Sequence, residues 1–403
     1  MKRIEKVIQG YHYVGFMLVI GVIMVVVFFG GDDSGIRFNI GKETSMVEDY
    51  WFKDCDFFNG RWVYDNRSRP LYKEKECSFM MDNYSCEKLG RKDFKYQSWR
   101  WQPHGCELPR FNGTALLEKL RDKRVVFVGD SLGQNHWVSF LCLIDSWILE
   151  PSHKVVEWHG PLIKFRASEY NVSIDFYWEP FLVESNCDDP INHKILDRVV
   201  KIEGIERHAK QWINADMLIF DSYRWWLDVD ITLVWGSFEN PNKTIVESRR
   251  VVPYEMALRT WSNWLETHLD RKKTRIFFTS PSPGHREGGD WGKTTGENCY
   301  NVTEPIVEER PWGKGSDFDL MRATESMVED LEKKGFNIKL LNITHLSQYR
   351  KDGHLSIYKR HLVSPTKLEL ANPAPYADCV HWCLPGVPDV WSEILYAYIR
   401  YKI

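Results

Sequence analysis

Hydrophobic and polar positions fall into three regimes along the chain. Residues 13–31 form one uncharged apolar run, with Lys2, Arg3 and Lys6 before it and Asp32 and Asp33 after it. Across residues 50–110, Trp, Cys, Gly and charged residues interleave with no sustained period, the pattern of loops. From Phe111 onward, short β-branched and aromatic runs alternate with stretches that carry apolar residues three and four positions apart. The spacing predicts helices over 112–123, 132–149, 254–271 and 319–334, the last stopped by Gly335. It predicts strands over 125–128, 216–220, 275–279 and 337–342. Residues 174–178 alternate in the manner of an antiparallel or edge strand. This strand–helix order implies an α/β fold, a parallel sheet covered by helices on both faces.

One junction in the pattern carries chemistry. The run 125–128 leads into Gly129, Asp130 and Ser131, and then into the helix expected over 132–149. Gly129 permits a sharp turn. Ser131 therefore lies at the carboxyl end of a strand, where open α/β sheets bind ligands. It also opens a helix, whose first N–H groups lack intrahelical acceptors and favour an oxyanion. Ser131 is a candidate nucleophile, with the N–H groups of Ser131 and Gly133 as candidate oxyanion donors. A Gly-Asp-Ser tripeptide alone arises by chance in roughly one chain in ten of this size. A partner base is needed.

Residues 378–391 supply one. An acid three positions before a histidine, as in Asp378 and His381, can reach one imidazole nitrogen across a single turn. That contact fixes the tautomer and leaves the other nitrogen for a hydroxyl. Cys379, Cys383, Pro385 and Pro388 around the pair suggest a rigidly held loop. Rival bases are His136 on the Ser131 helix, His285 in the Pro- and Gly-rich loop 280–291, and His354 beside Asp352. His354 is also a candidate for lining a substrate cleft. No His, Cys or Asp cluster has metal-ligand spacing, so no metal and no bound cofactor are expected.

Charge and composition narrow the setting. A net charge of −3 gives no basic footprint, so no nucleic-acid partner is expected. The apolar run 13–31 is long enough to span a bilayer, and its basic flank predicts a cytosolic tail over 1–12 with a lumenal body. Residues 32–49 then read as a stem, 50–110 as a stapled subregion and 111–403 as the catalytic domain. Nine cysteines without zinc spacing predict disulfides and one leftover thiol. Sequons at Asn66, Asn83, Asn112, Asn171, Asn242, Asn301 and Asn342 fit the secretory pathway. The abundant aromatics are chiefly core, with a fraction free to stack on sugar rings.

With these residues in view, the chain resembles the plant trichome birefringence-like polysaccharide O-acetyltransferases. The likeness rests on Gly129-Asp130-Ser131, on Asp378 with His381, and on residues 55–63, 100–103, 108–111, 225–226, 258–261 and 378–388. It implies an SGNH/GDSL-like α/β/α sandwich in a single-pass Golgi membrane protein with its body in the lumen. It further implies transfer of acetyl, through an acetyl-serine, to a cell-wall glycan, xylan being the nearest match. The donor, acetyl-CoA or a compound derived from it, enters as a co-substrate. In this frame Cys187 falls outside the family pattern, and Trp225 and Trp226 are expected to help exclude water. Gln134 stands where relatives often carry Arg, which bears on the orientation of the helix after Ser131. Asp221-Ser222 stands where Asn-Thr is common, which weakens that loop as an oxyanion donor. An acetyl-esterase using water, or a non-catalytic glycan-binding protein, are the alternatives. Oligomeric state is left open.

Overall fold

The β-branched run before Ser131 becomes the central strand of a seven-stranded sheet. The computed structural model describes residues 55–401 apart from 194–195, 228, 292–295, 308–315 and 361–364. A hairpin of β1 (Gly60–Tyr64) and β2 (Trp99–Pro103) is followed by α1 (Gly113–Lys119), β3 (Arg124–Gly129) and α2 (Ser131–Asp145). Next come β4 (Lys154–His159), β5 (Leu162–Ala167), β6 (Val172–Trp178), β7 (Arg198–Lys201), α3 (Glu206–Trp212) and β8 (Met217–Asp221). The chain continues through β9 (Ile231–Gly236), β10 (Pro241–Glu247), α4 (Val251–His268), β11 (Arg275–Thr279), α5 (Phe318–Lys333) and β12 (Ile338–Leu341). It closes with α6 (Thr344–Gln348), β13 (His354–Ser356), α7 (Lys367–Ala371), β14 (Asp378–Trp382) and α8 (Val387–Tyr401).

Sheet order is β12-β11-β8-β3-β6-β5-β4. The first five strands are parallel, whereas β5 runs antiparallel to both of its neighbours, β6 and β4, so the sheet is mixed rather than wholly parallel. Residues 174–178 are not an edge: β6 has β3 beside it in parallel and β5 beside it antiparallel. The alternation misled because Asp175 reads as a surface position. It is buried, and Arg124 on β3 meets it at 2.9 Å, which offsets the cost of enclosing the charge. Alternate residues face opposite layers. On one face Phe127 meets Phe140 of α2 at 5.6 Å and Phe277 meets Tyr398 of α8 at 6.0 Å. On the other, Phe220 and Phe278 meet Trp261 of α4 at 5.1 and 5.3 Å. The result is an α/β/α sandwich.

Residues 55–110 have no separate core, since Phe57, Tyr84 and Trp101 are buried in the same cluster as the sheet. Arg69 pairs with Glu393 of α8 at 2.7 Å, and the Tyr72 hydroxyl donates to Asp389 at 2.9 Å. Disulfides Cys77–Cys142 and Cys86–Cys383 fasten this region to α2 and to the turn before α8. Cys55–Cys106 closes it internally, and Cys299–Cys379 ties a loop to β14. Cys187 is buried outside these four links. The rigid loop expected over 378–391 is instead a strand, β14, that runs through a tight turn into α8. It was hidden because its partner, β13, is only His354–Ser356 and pairs with a shift in register. The expected tail, membrane span and stem lie outside the described residues. Among the described residues, no helix is long and apolar enough to cross a membrane.

Replacing Cys86 and Cys383 together by Ala opens a link that closes 297 residues. Stability should fall by about 2–5 kcal/mol, read as a lower denaturant midpoint.

Candidate active site

The turn before α2 is set by close packing. Gly129 lies opposite Asp221 in the sheet, and a Cβ there would sit 2.4 Å from the Asp221 carbonyl oxygen. Asp130 then caps α2, its Oδ1 accepting the Leu132 N–H at 2.8 Å. Ser131 is the first helical residue. From the far end of the chain, Asp378 Oδ1 accepts the N–H groups of Val380 and His381 at 3.0 Å each. This Asx-type turn leaves Oδ2 for His381 Nδ1, 2.8 Å away. His381 Nε2 lies 2.7 Å from Ser131 Oγ. The expected nucleophile, base and acid thus form one hydrogen-bonded line.

Two further contacts hold that line in register. Asn135 of α2 accepts the Trp382 N–H at 2.9 Å and donates to the Trp382 carbonyl at 3.3 Å. The Tyr84 hydroxyl donates to the Ser131 carbonyl oxygen at 2.8 Å, with Gln134 Oε1 3.2 Å away. Gln134 therefore meets Tyr84, and α2 runs unbroken from Ser131 to Asp145.

Electrostatics follow from enclosure and pairing. Burial works against a charged Asp378, but His381 and the two N–H groups outweigh it, holding the carboxyl far below the usual range. Burial likewise disfavours a charged His381, yet Asp378 more than offsets it, so the imidazole titrates above its ordinary value. The Arg224 guanidinium, just past β8, opposes that rise. Burial pushes the Asp130 carboxyl up, with the N–H groups of Leu132 and Gly133 acting in the other direction. Asp221 is pushed well above the usual range by burial and by the neighbouring Asp130 charge. Gly133, the second expected oxyanion donor, lies two residues after Ser131 in the first turn of α2.

Ser131 and His381 line an open cleft of about 910 Å³. Trp225 lines it too, edge-on to Trp178 at 5.8 Å with Arg198 over its ring at 5.1 Å. Trp226 does not: it is wholly buried, donates to Ser222 Oγ at 3.0 Å and packs against Phe181 and Tyr254. A 3-10 turn over Arg224–Trp226 sends the two neighbouring rings in different directions. Nor does His354 line the cleft. It is buried behind His381, stacked on Trp382 at 3.9 Å and bonded to His285. Among the rival bases, His136 faces Phe127 and Trp391, and burial pushes it down to about 3. Tyr84, Trp178 and His193 also line the cleft. Of these only Trp178 carried a usable signal, as the last residue of a predicted strand. Among the described residues no group of acidic, His or Cys side chains is placed to hold a metal.

Residues 108–398 match the GDSL/SGNH-like acyl-esterase family found in Pmr5 and Cas1p, and residues 53–107 match the PMR5 N-terminal domain. The chain is 47% identical over 396 residues to protein trichome birefringence-like 34 of Arabidopsis thaliana, covering 96% of this chain and 95% of that one. The chain belongs to the trichome birefringence-like family. Xylan O-acetyltransferase 13 of Oryza sativa subsp. japonica is 48% identical over 354 residues, 87% of this chain and 70% of its own. Xylan O-acetyltransferase 14 of the same plant is 46% identical over 368 residues, 86% and 77% respectively.

In this trichome birefringence-like protein, Asn135 touches no reacting atom and acts by holding α2 to β14. Asn135→Ala should lower kcat about 10–100-fold with KM little changed, since small misplacements in such sites cost that much. Asp378→Asn should lower the His381 titration midpoint, because the partner that raises it is gone. Ring chemical shifts followed against pH would read this.

Proposed function

We propose that this protein is an O-acetyltransferase that moves acetyl groups to hydroxyls of xylan. The observation that carries the reading is the 2.7 Å contact between Ser131 Oγ and His381 Nε2, with Asp378 behind the ring. Membership of an acyl-esterase family and relatives named xylan O-acetyltransferases supply the reaction class and the acceptor.

In this reading His381 Nε2 takes the Ser131 proton as Oγ attacks the acetyl carbonyl of the donor. Collapse of the tetrahedral intermediate breaks the bond to the donor's leaving group, which departs with the proton from His381. An acetyl-serine remains. A xylosyl hydroxyl then gives its proton to His381 and attacks the acetyl carbon. The new ester leaves, and Ser131 Oγ recovers its proton. The Ser131 N–H, in the first turn of α2, is the leading oxyanion donor, with the Gly133 N–H in the same turn as the second. Trp225 and Trp178 form part of the cleft wall beside Ser131, and a sugar bound against that wall would displace water from the acetyl-serine. Four disulfides and sequon asparagines at the surface, such as Asn66, Asn112 and Asn242, support a lumenal, Golgi setting. The apolar segment 13–31 is the proposed anchor.

Incubation with an acetyl donor and xylo-oligosaccharides should give a net gain of acetyl by mass. Net loss from acetylated oligosaccharides would instead mark an esterase. Ser131→Ala should lose acetyl-enzyme formation and at least about 10³-fold in rate; an active variant would refute the assignment. Trp225→Ala should raise the acceptor KM and the share of donor lost to hydrolysis, both measurable in one assay.

A further inference from the structure

Behind His381 runs a hydrogen-bond chain whose proton count does not close with neutral rings. His285 Nε2 lies 2.9 Å from the Gln348 carbonyl oxygen, and His285 Nδ1 lies 2.7 Å from His354 Nε2. His354 Nδ1 lies 3.0 Å from the carbonyl oxygen of His381 itself. Both ends of the chain are carbonyl oxygens, which only accept. Three links need three ring protons, and two neutral imidazoles carry two. Whichever tautomers are chosen, one contact then sets lone pair against lone pair at 2.7–3.0 Å.

The rings are held in these positions. His354 stacks on Trp382 at 3.9 Å, and Arg91 grips its carbonyl oxygen at 3.0 Å. The His285 backbone bonds to both Cys379 and Cys299, which are joined by a disulfide. We propose that His285 and His354 together hold three ring protons, an imidazolium hydrogen-bonded to a neutral imidazole, and that this buried charge positions His381 and opposes its protonation. One extra proton makes every link a donor–acceptor pair and spreads the charge over two rings. Burial opposes the charge on both rings, Lys351 and His381 add to that opposition, and each ring taken singly is pushed below its ordinary value. Asp352, held by Arg350, favours it at His285, and Asp378 favours it at His354. The fixed acceptors at both ends and the short contact between the rings decide the balance. A positive charge behind His381 makes its imidazolium harder to form, which counters the pull of Asp378.

The inference rests on His381 being the base, but its first test needs no turnover, so the two readings fail separately. In the full chain labelled with 15N at histidine, the pair should show three protonated ring nitrogens and one bare nitrogen at about pH 6. Two protonated nitrogens overturn the proposal. His285→Leu leaves His354 free to be neutral, donating only to the His381 carbonyl. The acid limb of kcat/KM against pH should then move up by about 0.5 unit or more, a change that loosened packing alone does not produce. An unmoved limb in a variant with native melting behaviour overturns the coupling to His381. If that variant does not fold, the proton count in the native chain still decides.

Discussion

The site depends on a junction between two distant pieces of backbone. Ser131 stands on a helix that leaves the middle of the sheet, while His381 stands on a two-stranded ribbon outside it. Nothing in the sheet ladder connects them. The Asn135 amide, meeting both the N–H and the carbonyl of Trp382, makes the connection. A side-chain amide presents a donor and an acceptor at fixed separation, so it sets position and direction together. With that clamp made, the Asp378 turn has only to aim one ring.

The same junction explains why the N-terminal region is integral. Tyr84 reaches the Ser131 carbonyl from one side, and Cys86, two residues on, is bonded to Cys383 next to Trp382. A segment with little apolar periodicity is held by covalent links and by core rings such as Phe57 and Trp101. It in turn braces both halves of the Ser131–His381 pair.

Legibility in the sequence followed the range of the interactions. The strand over 125–128, the turn at Gly129 and the helix from Ser131 are local, and short-range patterning is enough to find them. Asp378 and His381 are three residues apart, so their contact is local as well. Which tryptophan faces the cleft was not readable. Trp225 and Trp226 are adjacent, and their directions are set by a 3-10 turn and by Ser222, Phe181 and Tyr254. His354 looked like a cleft residue because its partners, His285 and Trp382, come from other parts of the chain. The interior place of β6 was hidden by Asp175, whose neutralising partner Arg124 sits on another strand. The expected membrane span lies outside the described residues.

The Cys86–Cys383 link has a bearing on biosynthesis. Its second half is made 297 residues after its first, just past the imidazole that Ser131 requires. A translation product that stops short of residue 383 leaves the Cys86 thiol without its mate. Exposed thiols of that kind undergo exchange with oxidoreductases, so the bond that braces the reactive pair also reports whether synthesis has passed residue 383.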